Sequence, residues 1–509
     1  EFAVRGAAGN KLKSVAEGAA DVAVLHRKTS AWDTCAPSAA ILAAGGRVTD
    51  YFGAPLSYTG AVGNTLGVIA SSKRAAKAHD AACATLRRDA RALAILERYG
   101  VRGASHAADI ARDLSGTPLA VATVAEAAGV AAASYHAPEA EAFRGALSAG
   151  CRLRIADTSV FLKRVKMREL PAAVKKATAQ PQKLRRDVAS FRVEAAFLSS
   201  EAAKGLAAIG VQVPTVLSAT VDTPTEDPLD AASLLFLRDF SPDDGYRQSN
   251  LLEGADLRAT LKALARFHAH FSDAARRPRP EETWRCGGHW QPAYQNAEQF
   301  ESGVEAAWPR LLENFRDAFD ASPATRGLDL ETIGERVQRA SVKAGREAHP
   351  FAHDDVTDVE EWRTLIHGDL KAANILVKGG EQVALLDFQY VGDGLAATDL
   401  AHFLTASVAG SELLEDGTLR DGELVDLYLA EYSAALGRDI DGDAFRRQFD
   451  VAVVDKARFV FSYLWPRIDA SPAELERGAD IWNRNSYNKD IKAAVWLVAR
   501  TSKALEAIS

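Results

Sequence analysis

The stretch "HGDLKAANIL", residues 367–376, sets a carboxylate (Asp369) five positions before an amide (Asn374) inside an otherwise apolar run. A second apolar run, "QVALLDF", then delivers another carboxylate, Asp387. Moving a phosphoryl group from ATP needs little covalent help from a protein. It needs a carboxylate to orient and deprotonate the accepting hydroxyl, and hard oxygen ligands to hold Mg²⁺ against the phosphates. Asp369 suits the first task, and Asn374 with Asp387 suit the second. His367 would pack beneath the loop and fix its backbone. Lys371 would either reach the transferred phosphoryl or stay solvated. An Asp and an Asn that merely cap a turn are the plainer reading, but the strand ending in Asp-Phe makes the signal a compound one.

The same chemistry makes a demand upstream: a lysine on a strand for the α- and β-phosphates, and a glutamate on the following helix to hold it. "VFLKRV" offers Lys163 and "SFRVEAAFL" offers Glu194, in that order. Strand alternation turns Arg164 and Lys166 away from the face of Lys163.

These residues need elements to carry them. From Leu153 the pattern predicts a β-hairpin, "RLRIADTSVFLKRV", turning at Asp-Thr-Ser, then a long helix, "LRRDVASFRVEAAFLSSEAAKGL", and a buried strand, "ASLLFLRDF". Residues 255–345 and 400–509 read as dominantly helical, with "VALLDF" a strand between. The first hundred residues alternate helix and strand: "GNKLKSVAEGAA" helical, "DVAVLH" extended, "CAPSAAILAAGG" helical, then "RVTDYFG" and "LGVIAS" extended and residues 73–98 helical. The expected fold is α+β. A small β-rich lobe (within 101–240, after a linker) precedes a large helical lobe (241–509), and an α/β half-domain (1–100) comes first.

The 509 residues are 47% apolar and 25% charged with a formal charge of −7, a balance that gives no field to gather nucleic acid or an anionic membrane. Charged residues interrupt every apolar run, so no membrane insertion is expected. Cys35, Cys83, Cys151 and Cys286 show no metal-ligand spacing and read as reduced core thiols of a reducing compartment.

Taken together, "LIHGDLKAANILV", "LLDFQYVGDGLAATDLAHFL", "LARFHAHF", "VFLKRV" and "SFRVEAAFL" resemble the aminoglycoside phosphotransferase and choline kinase superfamily. The "DFQ" at 387–389 is most similar to its ecdysteroid-kinase-like branch. The resemblance, over about residues 110–509, implies a two-lobed protein-kinase-like fold, ATP and Mg²⁺ as cofactors, and the hydroxyl of a small molecule as acceptor. It further implies that Asp399 supports the catalytic loop and that Arg238 and Asp239 join the lobes where backbone groups meet adenine. Two departures stand out. The glycine loop is reduced to "RGALSAGCRLR", with Gly145 and Gly150, and only 12 positions separate Asp387 from Asp399, too few for a peptide platform. The aromatics of "WRCGGHWQPAYQNAEQFESGVEAAW" (284–308) and "YLWPR" (463–467) read as core by spacing. Lining the acceptor pocket instead, they would favour a bulky or cationic alcohol.

A second chemistry is written near the start. "WDTCAPSAAILAAGGRVTD", preceded by "GAAGNKLKSVAEGAAD", resembles the C-terminal half of the inositol monophosphatase and bisphosphate nucleotidase superfamily. That likeness implies a metal-ligand role for Asp33, with Gly9, Asn10, Lys11 and Glu17 beside a substrate. One aspartate cannot build a two-metal site, so a partner chain or an upstream segment would have to complete it. Three readings follow: a small-molecule kinase, a structural or regulatory subunit with a pseudokinase lobe, and a bifunctional kinase and phosphatase.

Overall fold

The computed structural model describes residues 8–25, 29–51, 53, 56, 63–64, 67–86, 107–138, 142–144, 147–222, 226–294, 297–355, 362–478 and 490–508. The chain forms two compact units, Glu1–Val174 and Lys175–Ser509.

In the first unit, α1 (Ala8–Ala16), β1 (Val22–Leu25), α2 (Ala31–Ala43), β2 (Arg47–Thr49), β3 (Val68–Ser71) and α3 (Ala76–Leu86) follow the expected alternation. The three strands form an antiparallel sheet in the order β1-β3-β2. Leu12 and Val15 of α1, Ile41 of α2 and Leu25, Val48, Val68 and Ala70 of the strands share one core, because each element turns one apolar face inward. The helix expected over 73–98 is seen to Leu86, and its remainder lies outside the described residues.

Further on come α4 (Val121–Ala128), β4 (Ala142–Arg144), β5 (Ala149–Ile155) and β6 (Thr158–Lys166), the three strands antiparallel in sequence order. The β5–β6 hairpin differs from expectation at its tip. Ile155 pairs with Thr158, so the turn is Ala156–Asp157, and Thr158 and Ser159 already belong to the strand. Ala156 takes φ +48°, which closes a two-residue turn in register with the cross-strand pairs below it. Cys83 and Cys151 are buried, as Cys286 is in the second unit, but Cys35 is exposed on α2, so the expectation of core thiols holds for three of the four. Burial pushes the Cys151 thiol up to about 12, which leaves it inert.

The second unit opens with α5 (Pro181–Ser199), β7 (Val211–Gln212), β8 (Val216–Asp222) and β9 (Ala232–Arg238). It continues with α6 (Gly254–Ser272), α7 (Ala297–Ala321), α8 (Ile333–Ala348), β10 (Arg363–Ile366), β11 (Ile375–Lys378), β12 (Gln382–Leu385), β13 (Gly392–Leu395) and α9 (Ala396–Ser407). The last long helices are α10 (Asp421–Leu436), α11 (Gly442–Phe459) and α12 (Ile491–Ile508). In α6, Leu257, Leu261, Leu264, Phe267, His268 and Phe271 recur at helical spacing and are buried, packing the helix along α10. Every residue of α9 is buried, with α11 packed across it. β10 pairs antiparallel with β13, and β11 with β12 through a turn containing Gly379 and Gly380, both at positive φ. No described helix is long and apolar enough to cross a membrane.

Candidate active site

β10 and β11 hold the two ends of the loop that carries His367, Asp369, Lys371 and Asn374. His367 is fully buried and its ring lies 4.5 Å from that of Phe388. Its Nε2 donates to the carbonyl of Leu386 at 2.9 Å, which fixes the tautomer, so Nδ1 can accept the backbone N–H of Asp369 at 3.3 Å. Burial lowers its basicity, keeping the ring neutral for this double role. Through these two bonds His367 ties the loop's backbone to the Leu386 carbonyl.

Asp399, on the first turn of α9, supports the same loop. Its Oδ2 accepts the N–H of His367 at 2.8 Å and its Oδ1 that of Gly368 at 3.1 Å. His268 of α6 stands 3.3 Å from Oδ2 and is itself 2.7 Å from the Tyr428 hydroxyl of α10. Burial opposes the charge on Asp399, but the bond with His268 and the fields of His268, His367 and His402 together outweigh it, and the carboxyl stays below its ordinary range. Gly368 takes φ +78°, and a methyl there would run into the Tyr390 carbonyl and the Gly288 amide, so only glycine fits.

The carboxylate of Asp369 is nearly buried and surrounded by nitrogen. Lys371 Nζ is 2.9 Å from Oδ2, and His289 Nδ1 and His402 Nε2 are each 3.5 Å from Oδ1. Burial alone would raise its pKa, but the Lys371 ammonium and then the two imidazoles hold it well below the usual carboxylate range. Asp369 is therefore a charged hydrogen-bond acceptor at neutral pH. Burial keeps both histidines neutral, His402 down at about 4 and His289 well below its ordinary value. His402 stacks on Trp290 (4.4 Å, 9°), and the buried Lys456 lies 3.9 Å from the centre of that indole.

Asn374 donates its Nδ2 to the Asp369 carbonyl at 2.8 Å, an acceptor that dictates the orientation of the amide and assigns Oδ1 to the other side. The backbone N–H of Leu386 bonds to the Asn374 carbonyl at 2.8 Å, which ties Asn374 to the residue before Asp387 at the open end of the β11–β12 hairpin. Asp387 has φ +66°, a left-handed conformation costly for a β-carbon residue and commonest where function requires it. Gln389 Nε2 donates to Asp387 Oδ1 at 2.7 Å, and Ser190 of α5 donates to Gln389 Oε1 at 3.1 Å. By type, the Asn374 amide oxygen and the Asp387 carboxylate are hard oxygen donors of the kind Mg²⁺ takes.

The other expected residues are carried by other elements. Lys163 is buried in β6 opposite Gly150 of β5, in the first unit, and Gly145 lies outside the described residues. Glu194 is buried on α5, one turn beyond Ser190, in the second unit. Arg238 ends β9 with its backbone N–H on the Thr215 carbonyl at 2.9 Å and its side chain exposed, while Asp239 is half-buried. Asp33 is an exposed carboxylate in the first turn of α2. Among the described residues the close group of three possible metal ligands is His289, Asp369 and His402, and Asp33 is not part of it.

Sequence reasoning missed His289, His402, Gln389 and Lys456. His402 stood in plain view in "ATDLAHF", three residues after Asp399, where helical spacing puts both on one face. His289 lies in an irregular segment with no periodicity to place it. Trp290, Trp308 and Trp465 are buried core residues, as their spacing suggested, so they line no open pocket.

The ecdysteroid kinase-like family matches residues 211–436, a span containing Asp369, Asn374, Asp387 and Asp399. The inositol monophosphatase family matches residues 2–91. The chain thus resembles two families in series, kinase-like over the longer span and inositol-monophosphatase-like before it. Among solved structures, a microcompartment-associated aminopropanol kinase is 15% identical, covering 74% of this chain and 95% of its own, at a TM-score of 0.39. The amicoumacin kinase hAmiN, in complex with AMP-PNP, Ca²⁺ and Ami, is 14% identical over 72% of this chain and 92% of its own (TM-score 0.39). An aminoglycoside phosphotransferase from Alicyclobacillus acidocaldarius is 16% identical over 76% and 97% (TM-score 0.37). No curated protein matches the chain.

Proposed function

We propose that the chain is an ATP- and Mg²⁺-dependent kinase acting on the hydroxyl of a small molecule. The observation that carries this reading is the Asp369 carboxylate, held charged by Lys371 and the two neutral histidines, on a loop whose Asn374 amide bonds the Asp369 carbonyl. Asp369 accepts the hydrogen bond of the incoming alcohol, turns its lone pair toward the γ-phosphoryl group and takes the proton as the bond to the acceptor oxygen forms and the bond to the bridging oxygen of ADP breaks, ADP leaving. Lys371 then neutralises charge on the transferred group. Asn374 Oδ1 and the Asp387 carboxylate would hold the Mg²⁺, which would supply charge neutralisation to the phosphates. In the same reading the backbone around Arg238 and Asp239 would receive the adenine. In this reading residues 101–240 contribute the linker and nucleotide lobe and 241–509 the catalytic lobe, with 1–100 an accessory phosphatase-like segment that Asp33 alone does not make active.

The test is Asp369→Asn. It should bind ATP in a Mg²⁺-dependent manner by calorimetry and lose turnover by roughly 10²–10⁴-fold, the range of a positioned general base. Near-normal ADP release would reject the assignment.

A further inference from the structure

Beside the catalytic loop, cations of the second unit gather around two tyrosines. Lys183 Nζ donates to the Tyr463 hydroxyl at 3.0 Å and Arg467 donates to the same oxygen at 3.1 Å. Both cations also lie over the Tyr463 ring, at 5.4 and 4.9 Å from its centre. Arg186 lies 5.5 Å from the ring centre of Tyr390. Asp187 bonds Lys176 at 2.8 Å and Arg186 at 2.9 Å, while Lys183 and Arg467 converge on Tyr463. Lys183, Arg467 and Lys176 bring the Tyr463 phenol below its ordinary range, although burial acts the other way.

The cluster adjoins the reacting carboxylate. The Tyr463 ring is 5.4 Å from Phe459, Phe459 is 5.7 Å from His289, and His289 touches Asp369. Tyr390 reaches His289 as well, at 5.5 Å between rings. Tyr463 sits in a five-residue π turn, Val460–Leu464, that continues α11, a distortion that recurs at functional sites because it re-aims a side chain out of helical register. A cationic acceptor would meet like charge here, and the half-buried tyrosine rings that could hold an ammonium already carry the protein's own cations. Two cations converging on one phenolic oxygen repel each other until an anion lies between them.

We propose that the acceptor alcohol carries an oxyanion group, bound by Lys183, Arg467 and the Tyr463 hydroxyl. This rests on the kinase reading for the word acceptor, and on the cluster alone for the anion. The hydroxyl would then reach Asp369 while the oxyanion stays anchored on the far side of His289.

The experiment uses the full chain with matched alcohols: glycerol 3-phosphate and glycerate against ethanolamine and choline, with inorganic phosphate as a separate arm for the bare anion. Calorimetry measures binding with Mg²⁺ and AMP-PNP present, and ADP release measures turnover. Glycerol 3-phosphate or glycerate should bind and be consumed in preference to the amines. Lys183→Ala with Arg467→Glu should weaken that binding at least tenfold and leave the affinity for Mg²⁺-ATP within twofold. Arg467→Lys, which keeps the charge, should recover part of the loss and shows that the fold is intact. Absence of binding by either anionic alcohol, preference for the amines, or equal weakening of Mg²⁺-ATP binding would each overturn the proposal. Anion binding with no Mg²⁺-ATP binding would instead sink the kinase reading and leave the anion site standing.

Discussion

Removing the carboxylate of Asp399 should unmake the catalytic loop without touching any group that meets substrate. In Asp399→Ala two buried backbone N–H groups, of His367 and Gly368, lose their acceptors, and His268 keeps Tyr428 but loses its carboxylate partner. Each buried donor left unsatisfied costs about 1–3 kcal/mol. Deleting the charge also recovers part of what it cost to bury it, so the net is smaller than the sum of the bonds. The expected loss is about 3 kcal/mol. Asp399→Asn keeps one acceptor oxygen and aims an NH₂ at the second donor, so it should lose roughly half as much. Urea unfolding measures the stability, with an unchanged slope required for the comparison. Hydrogen exchange at residues 367 and 368 should speed up in step, and ADP release should fall while Mg²⁺-ATP affinity changes little. An Asp399→Ala protein within about 1 kcal/mol of the parent, with unchanged protection at those two amides, would refute the claim that this carboxylate supports the loop.

Gly368→Ala puts a side chain at φ +78° against two backbone atoms that cannot move aside; it should cost about 2–3 kcal/mol or more in urea unfolding, and a loss under about 1 kcal/mol would contradict the geometry. Stability should also depend on acid through His402. Its folded pKa of about 4 lies below its ordinary 6.5, so the unfolded chain binds the extra proton between those values. Its contribution is therefore complete above pH 6.5, falls as the pH drops, and is exhausted near pH 4, amounting to about 2 kcal/mol between pH 6.5 and 5. Urea midpoints at pH 7.5 and 5 test this, and equal midpoints in the parent would count against a buried neutral His402. Because Asp369 is held below the ordinary carboxylate range, the acid limb of kcat/KM should not come from this group above pH 4, as a comparison of pH profiles for the parent and Lys371→Met would show.

Where an element's pattern is local, the sequence was enough to read it. The alternation in "DVAVLH" and "LGVIAS" places strands because the pleat has a period of two, and the spacing of "ADLRATLKALARFHAHF" places a helix whose buried face is set by 3.6 residues per turn. The loop from His367 to Asn374 was legible for a related reason: its polar residues interrupt an apolar run at offsets that turn chemistry alone does not require. The hairpin tip at Ala156–Asp157 was not, because register is set by cross-strand pairs and not by which residues favour turns.

Sequence by itself determined the residue types able to move a phosphoryl group, their order, and the two family likenesses. Tertiary structure decided the surroundings of Asp369: His289, Lys371 and His402 come from three segments spread over more than a hundred residues and meet at one carboxylate. It also decided that Trp290, Trp308 and Trp465 are core and that cations crowd Tyr463. The physical reason is that charge state and burial depend on which atoms lie within a few ångströms, and for residues far apart along the chain only packing sets that distance.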